Sequence, residues 1–145
     1  MKLTQADISF SACIRERAYW TCECCLIESV QGRMTKKDQS MQCSHFIGRK
    51  HKATRYLGEN CLCLCASCHA NIENDPGEHS RLLRRVKGHR MELYLSKLKQ
   101  EIVKPPGGWK QHEKLAAAYY REQFKRMDQL RLDGNRGRID FDSYR

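Results

Sequence analysis

The chain has 145 residues, 40% of them apolar, and carries 27 Lys and Arg against 17 Asp and Glu, a formal charge of +10. That length suits one modest core that a cross-link or metal would help to stabilise, and no apolar run is long enough to span a bilayer. The N-terminus MKLTQADISFSACIRERAYW carries charges where a signal peptide needs an apolar block, so a soluble, cytoplasmic protein is expected. Nine cysteines, an odd number, argue against a disulfide framework in that reducing compartment, and the basic surface points to a polyanion such as nucleic acid.

In chain order, Thr4 and Asp7 make a capping-box-like start, and Ala6, Phe10, Cys13, Ile14 and Ala18 recur at helical spacing, predicting a helix from about Thr4 to Tyr19. TCECC follows as a turn bearing Cys22, Cys24 and Cys25, and the polar stretch containing QGRMTKKDQ reads as a hairpin or loop. MQCSHF (41–46) and NCLCLC (60–65) have strand character and predict two antiparallel strands joined by the basic loop IGRKHKATRYLGE. Along the second strand Cys61, Cys63 and Cys65 share one face, with Leu62 and Leu64 on the other.

A short helix is expected from near Ser67 to a turn at Asp75-Pro76-Gly77. Leu82, Leu83 and Val86 mark a second helix, interrupted by Gly88, and Met91, Tyr94, Leu95, Leu98 and Ile102 mark a third. Pro105-Pro106-Gly107-Gly108 breaks the chain before a final helix, about Trp109 to Leu132, with Tyr120, Phe124 and Met127 on one side. Residues 1–132 read as one domain; the tail, 133–145, has no periodicity and is flexible unless it docks.

Two chelating pairs, Cys22-x-x-Cys25 and Cys65-x-x-Cys68, can complete a closed four-cysteine site of the structural zinc type. The 39 residues between them exceed a zinc-ribbon gap, so a folded insertion should lie between the pairs. Cys13, Cys24, Cys43, Cys61 and Cys63 match no ligand spacing and are expected as small buried residues, with Cys24 able to replace Cys22 or Cys25. His45 ends the first strand, Asn60 opens the second and His69 starts the next helix, an ordered trio that points to a catalytic centre.

Those residues resemble the HNH, or His-Me finger, nucleases, whose shared element is a ββα-metal motif. More closely, ADISFSACIRERAYWTCECC, QCSHFIGRKHKATRYLGENCLCLCASCH and the RLLRRVKG helix are similar to the phage NinG/Rap recombination endonuclease family, over roughly residues 6 to 130. The resemblance implies an α+β fold with a ββα-metal core, and a metal-dependent DNA endonuclease acting on D-loops and Holliday junctions as a phage protein in the bacterial host. It implies His45 as general base, Asn60 as the residue holding the loop, and His69 as a ligand of one Mg2+ or Mn2+ on the leaving-group side. Many HNH nucleases carry an acid just before the first histidine, where this chain has Ser44; Asn71, Glu73 or Asn74 could supply the missing oxygen. Where the NinG/Rap pattern commonly has asparagine after the second C-x-x-C, this chain has His69.

Arg49, Lys50, Lys52 and Arg55 in the inter-strand loop are the expected DNA contacts, Arg49 and Arg55 foremost because a guanidinium grips phosphate with two parallel hydrogen bonds. Arg81, Arg84, Arg85, Lys87 and Arg90 could extend that track, whereas Trp109, Tyr119, Tyr120 and Phe124 are read as packing residues. A symmetric branched substrate would suit a homodimer built through the C-terminal helices. The rival readings are a zinc-containing protein that binds branched or bent DNA without cutting it, and a protein-interaction module.

Overall fold

The computed structural model describes residues 1–29 and 41–145. The expected hairpin or loop around QGRMTKKDQ lies outside the described residues; the rest of the insertion between the cysteine pairs, with both strands, is described. The fold is α+β and mostly helical around a two-stranded sheet. Its elements are α1 (Gln5–Arg17), β1 (Met41–His45), α2 (Lys52–Arg55), a 3-10 turn (Gly58–Asn60), β2 (Cys61–Cys65), α3 (Ala66–Glu73), α4 (Pro76–Lys87), α5 (His89–Gln100) and α6 (Gly108–Leu132). Among the described residues no helix is long and apolar enough to cross a membrane.

The start of α1 is a reciprocal capping box: Thr4 Oγ1 accepts the Asp7 N–H and the Asp7 carboxylate accepts the Thr4 N–H. The helix buries Phe10, Cys13 and Ile14 against Tyr120, Phe124 and Met127 of α6, joining the two ends of the chain in one apolar cluster. Cys13 donates its thiol to the Tyr120 carbonyl at 3.3 Å and is a packing cysteine. Tyr19 and Trp20 then take left-handed backbone conformations, which non-glycine residues adopt only when neighbours enforce them. Trp20 is enforced by burial and by donating Nε1–H to Glu16 at 2.8 Å.

β1 and β2 pair antiparallel, with His45 opposite Cys61 and Met41 opposite Cys65. α1 and α3 both pack on the pair, so Cys61, Leu62, Cys63 and Leu64 are all buried. The connection between the strands is folded, containing α2 and the 3-10 turn, rather than the open loop its composition suggests.

Two boundaries differ from the sequence reading. Asp75-Pro76-Gly77 is not a turn but the start of α4: the Asp75 side chain caps the Glu78 N–H, and Pro76 sits where a helix has no use for its missing N–H. α5 stops at Gln100, which leaves Ile102 91% exposed instead of on the buried stripe.

The tail docks. Ile139 donates its N–H to the Arg17 carbonyl, Phe141 packs edge-on against Phe10 and Tyr120, and Tyr144 donates its N–H to the Tyr120 hydroxyl. Ser143 accepts the Gly58 N–H and donates to Glu59, so the chain terminus braces the 3-10 turn before β2.

Arg55 is 6% exposed and holds Asp7 with Nε and Nη2 at 2.9 and 2.5 Å, clamping α2 to the first turn of α1. Burial raises the Asp7 carboxyl, but the bonds from Arg55 and Thr4 outweigh it and hold the group below its ordinary 3.8. Its contribution to stability is therefore fully present above that ordinary value and is lost as pH falls through the lower folded-state value. Asp7→Asn, which strands the Arg55 charge, is expected to cost about 3–5 kcal/mol in urea unfolding at neutral pH. Its deficit relative to the native chain should shrink in acid; a loss within error at neutral pH would show that the pair does not hold α2.

Candidate functional site

Asn60 is fully buried at the start of β2, and its carboxamide is saturated. Oδ1 accepts the Ile47 N–H at 2.8 Å, while Nδ2 donates to the carbonyls of Ile47 and Thr54 at 2.9 and 3.1 Å. The Phe46 N–H reaches the Asn60 carbonyl at 2.9 Å, so one residue closes the whole excursion between the strands. Arg17 donates to the Gly58 and Cys61 carbonyls, and Lys87 to the Gly58 and Glu59 carbonyls, fixing the same segment from outside.

The closed loop brings the Arg55 carbonyl to 2.9 Å from His45 Nε2. A carbonyl only accepts, so Nε2 carries the proton and Nδ1 the lone pair. Burial drives the His45 imidazolium down to about 4, with the Arg55 carbonyl opposing and Arg49 assisting, so the ring is neutral near pH 7.

His69, in the first turn of α3, donates its Nδ1–H to Gln42 Oε1 at 2.7 Å. The amide oxygen accepts, which leaves the Nε2 lone pair of the neutral ring facing Glu73 Oε1 at 3.3 Å. Two acceptors at that separation repel unless a cation, either a proton or a metal ion, lies between them. The i, i+4 spacing on α3 sets the pair.

His45, His69 and Glu73 line one cleft of about 620 Å³ along β1, together with Ser44, Arg15, Arg49 and His79. His79, on α4, was not picked out by the sequence reading, because it lies outside the strand, loop and helix order; only its position one turn into a helix that follows α3 could have pointed to it. Its Nε2 is buried with no hydrogen-bond partner among the described residues, and burial followed by the neighbouring His69 lowers its imidazolium. Of the three oxygen donors considered, Glu73 is the one in the cleft; Asn71 lines a different pocket and Asn74 donates back to the Ala70 carbonyl.

The basic residues divide. Arg49 lines the cleft and its Nη1 has no partner among the described residues, Lys50 is exposed, and Lys52 is exposed beside Trp109. Arg55, expected to contact phosphate, is corrected: Asp7 takes its Nε and Nη2, and Glu113 lies 3.8 Å from its Nη1. Lys87 likewise leaves the candidate track, since its ammonium is buried on backbone carbonyls and pulled down to about 8 by burial and by Arg17. Arg81 and Arg84 pair with Glu78 and Glu92.

The Sγ atoms of Cys22, Cys25, Cys65 and Cys68 all lie within 4.8 Å of one another, close enough to hold a metal ion. The first pair sits on a knuckle in which the Leu26 N–H bonds the Cys22 carbonyl and Leu26 adopts a left-handed conformation. Cys65 caps α3 by accepting the Cys68 N–H, and Glu23 ties the knuckle to β2 through both its N–H and its carboxylate at Cys63. Cys24 is not a member of the cluster; its carbonyl accepts from Arg85.

Neither family models, nor curated proteins, nor solved structures match this chain.

Asn60→Ala removes the groups that satisfy one buried N–H and two carbonyls, and is expected to destabilise by roughly 3 kcal/mol. Hydrogen exchange should show the Ile47 amide exposed far more than the rest of the sheet; unchanged protection there would mean that the loop is held by other contacts.

Proposed function

We propose that the chain is a metal-dependent DNA endonuclease, with β1, β2 and α3 as a ββα-metal core and Zn2+ in the four-cysteine site. The observation that carries the reading is one cleft lined both by a neutral histidine with an oriented lone pair, His45, and by a carboxylate and imidazole pair, Glu73 and His69, beside arginines. Phosphodiester hydrolysis needs those parts: a base for water, a divalent cation for the charge that develops on oxygen, and cations to seat the phosphate.

Each residue then has a task. His45 Nδ1 takes the proton of the attacking water, while the Arg55 carbonyl holds the ring in the required tautomer. Phosphate in the cleft adds negative charge that raises the basicity of a ring otherwise held low by burial. His69 and Glu73 would hold Mg2+ or Mn2+, with Glu73 supplying the oxygen that Ser44 lacks and Gln42 fixing the His69 ring. An ion bound there would supply positive charge for the leaving oxygen. Arg49 and the exposed Lys50 and Lys52 contact the backbone. Asn60 positions the loop and touches no reacting atom.

The four-sulfur donor set fits zinc because it is closed and soft. The residues used are those of the HNH resemblance, and the closer NinG/Rap resemblance supports branched recombination intermediates as the substrate class. A zinc-containing protein that binds such DNA without cutting it shares the charge and the cysteines, and differs in having no use for the oriented His45.

Metal analysis of the purified chain is expected to find one tightly held zinc, and its removal by a strong chelator to abolish helical circular dichroism cooperatively; a metal-free chain with the same spectrum would refute the zinc site. Single-turnover nicking of supercoiled plasmid with Mg2+ or Mn2+ is expected to fall about 10²–10⁴-fold in His45→Ala, the usual worth of a general base. His69→Ala should instead raise the metal concentration needed. Equal rates for His45→Ala and the native chain would sink the assignment of the base.

A further inference from the structure

Cys43 and Cys61 were expected to be inert packing residues, yet with His45 they form a second donor cluster. The two Sγ atoms and a His45 ring nitrogen all lie within 4.8 Å of one another. Strand pairing produces this: His45 stands directly opposite Cys61, and Cys43 is two residues earlier on the same face of β1. Cys61 is wholly buried, while Cys43 and His45 line the cleft, so a cation from solvent can reach the cluster.

We infer that Cys43, His45 and Cys61 form a binding site for a soft divalent cation, Zn2+ or Cd2+, whose occupation takes His45 out of cleavage. Thiolate sulfur and imidazole suit such ions and do not suit Mg2+, which takes oxygen ligands and keeps its waters. A tetrahedral zinc, with bonds of about 2.0–2.3 Å to nitrogen and sulfur, holds its donors roughly 3.5–4 Å apart, a small contraction from the present arrangement. Both thiols release their protons to solvent on binding, and two thiolates with neutral imidazole balance the ion, so no net charge is buried. The fourth position faces the cleft and is left for water.

The site competes with the proposed reaction at one atom or one bond. An ion on Nδ1 consumes the lone pair that would accept the proton of water. An ion on Nε2 displaces the Arg55 carbonyl that orients the ring. The metal site itself stands on the cysteine and histidine geometry; only its inhibitory effect rests on the reading of His45 as the base.

The experiment loads the purified chain, with its four-cysteine site filled, with Cd2+ or Co2+ and removes excess ion by gel filtration. A second ion per chain is expected, with thiolate charge-transfer absorption for Cd2+ and intense tetrahedral bands for Co2+. Cys43→Ala, which truncates a half-exposed side chain, should lose the second ion and keep the first. Retention of the second ion by Cys43→Ala, or no second ion in the native chain, overturns the site. In parallel, the ratio of plasmid nicking with and without one added equivalent of Zn2+, at saturating Mg2+, is read for both proteins. The native chain should lose nearly all nicking and Cys43→Ala should be unaffected by zinc. Equal inhibition of the two proteins overturns the inhibitory role. If the native chain nicks nothing under any metal, the nuclease reading fails while the stoichiometry and spectra still decide the site.

Discussion

The Asn60 carboxamide is the contact on which the rest of the candidate site depends. Fully buried, it satisfies one N–H and two carbonyls of the segment that leaves β1 and returns to β2. Without it, the Ile47 N–H and the Ile47 and Thr54 carbonyls would lose their partner, and the excursion that buries Ile47, Thr54, Tyr56 and Leu57 would lose the bonds that close it. With it, the Arg55 carbonyl is delivered to His45 and the Arg55 guanidinium to Asp7, so a single closure sets both the ring and the docking of α1. A polar core of this kind is costly when partly satisfied and specific when complete, and Arg17, Lys87, Ser143 and the docked tail complete it from the other side.

How much of this could be read from the chain depended on how local the signal was. The capping box at Thr4, the C-x-x-C pairs, and the alternating Cys and Leu of β2 are short-range patterns, and each points to the element found. The buried stripe of α6 is equally local, with Tyr120, Phe124 and Met127 inside. What could not be read was competition between distant groups. Arg55 has the composition of a phosphate contact, but Asp7, far away in sequence, occupies it. Lys87 looks like part of a basic helix face, yet the carbonyls of the 3-10 turn bury it. The tail carries no periodicity because it docks as an extended strap through Ile139, Phe141 and Tyr144, one contact at a time. His79 enters the cleft only because α4 turns back beside α3, which no spacing in the sequence encodes.

In the proposed chemistry the fold separates two kinds of ion by ligand type. Sulfur from the knuckle and from the end of β2 makes a closed site that ties α1 to the strands and to α3, whereas nitrogen and oxygen from α3 make an open one in the cleft. Cys43, His45 and Cys61 lie between these extremes: soft donors placed at the proposed base. On the proposed reading, the chain would be active with an oxygen-seeking ion and silenced by a sulfur-seeking one.

The central claim is that this arrangement cuts branched DNA rather than merely binding it. The most direct measurement follows a labelled four-way junction beside a linear duplex of the same sequence, scoring bound and cleaved fractions in the same samples with Mg2+ or Mn2+, for the native chain and for His45→Ala. The account predicts metal-dependent cutting of the junction by the native chain, with binding but no cutting by the variant. Tight junction binding by the native chain with no cutting under either metal would contradict it, and would leave a zinc-containing protein that recognises DNA structure alone.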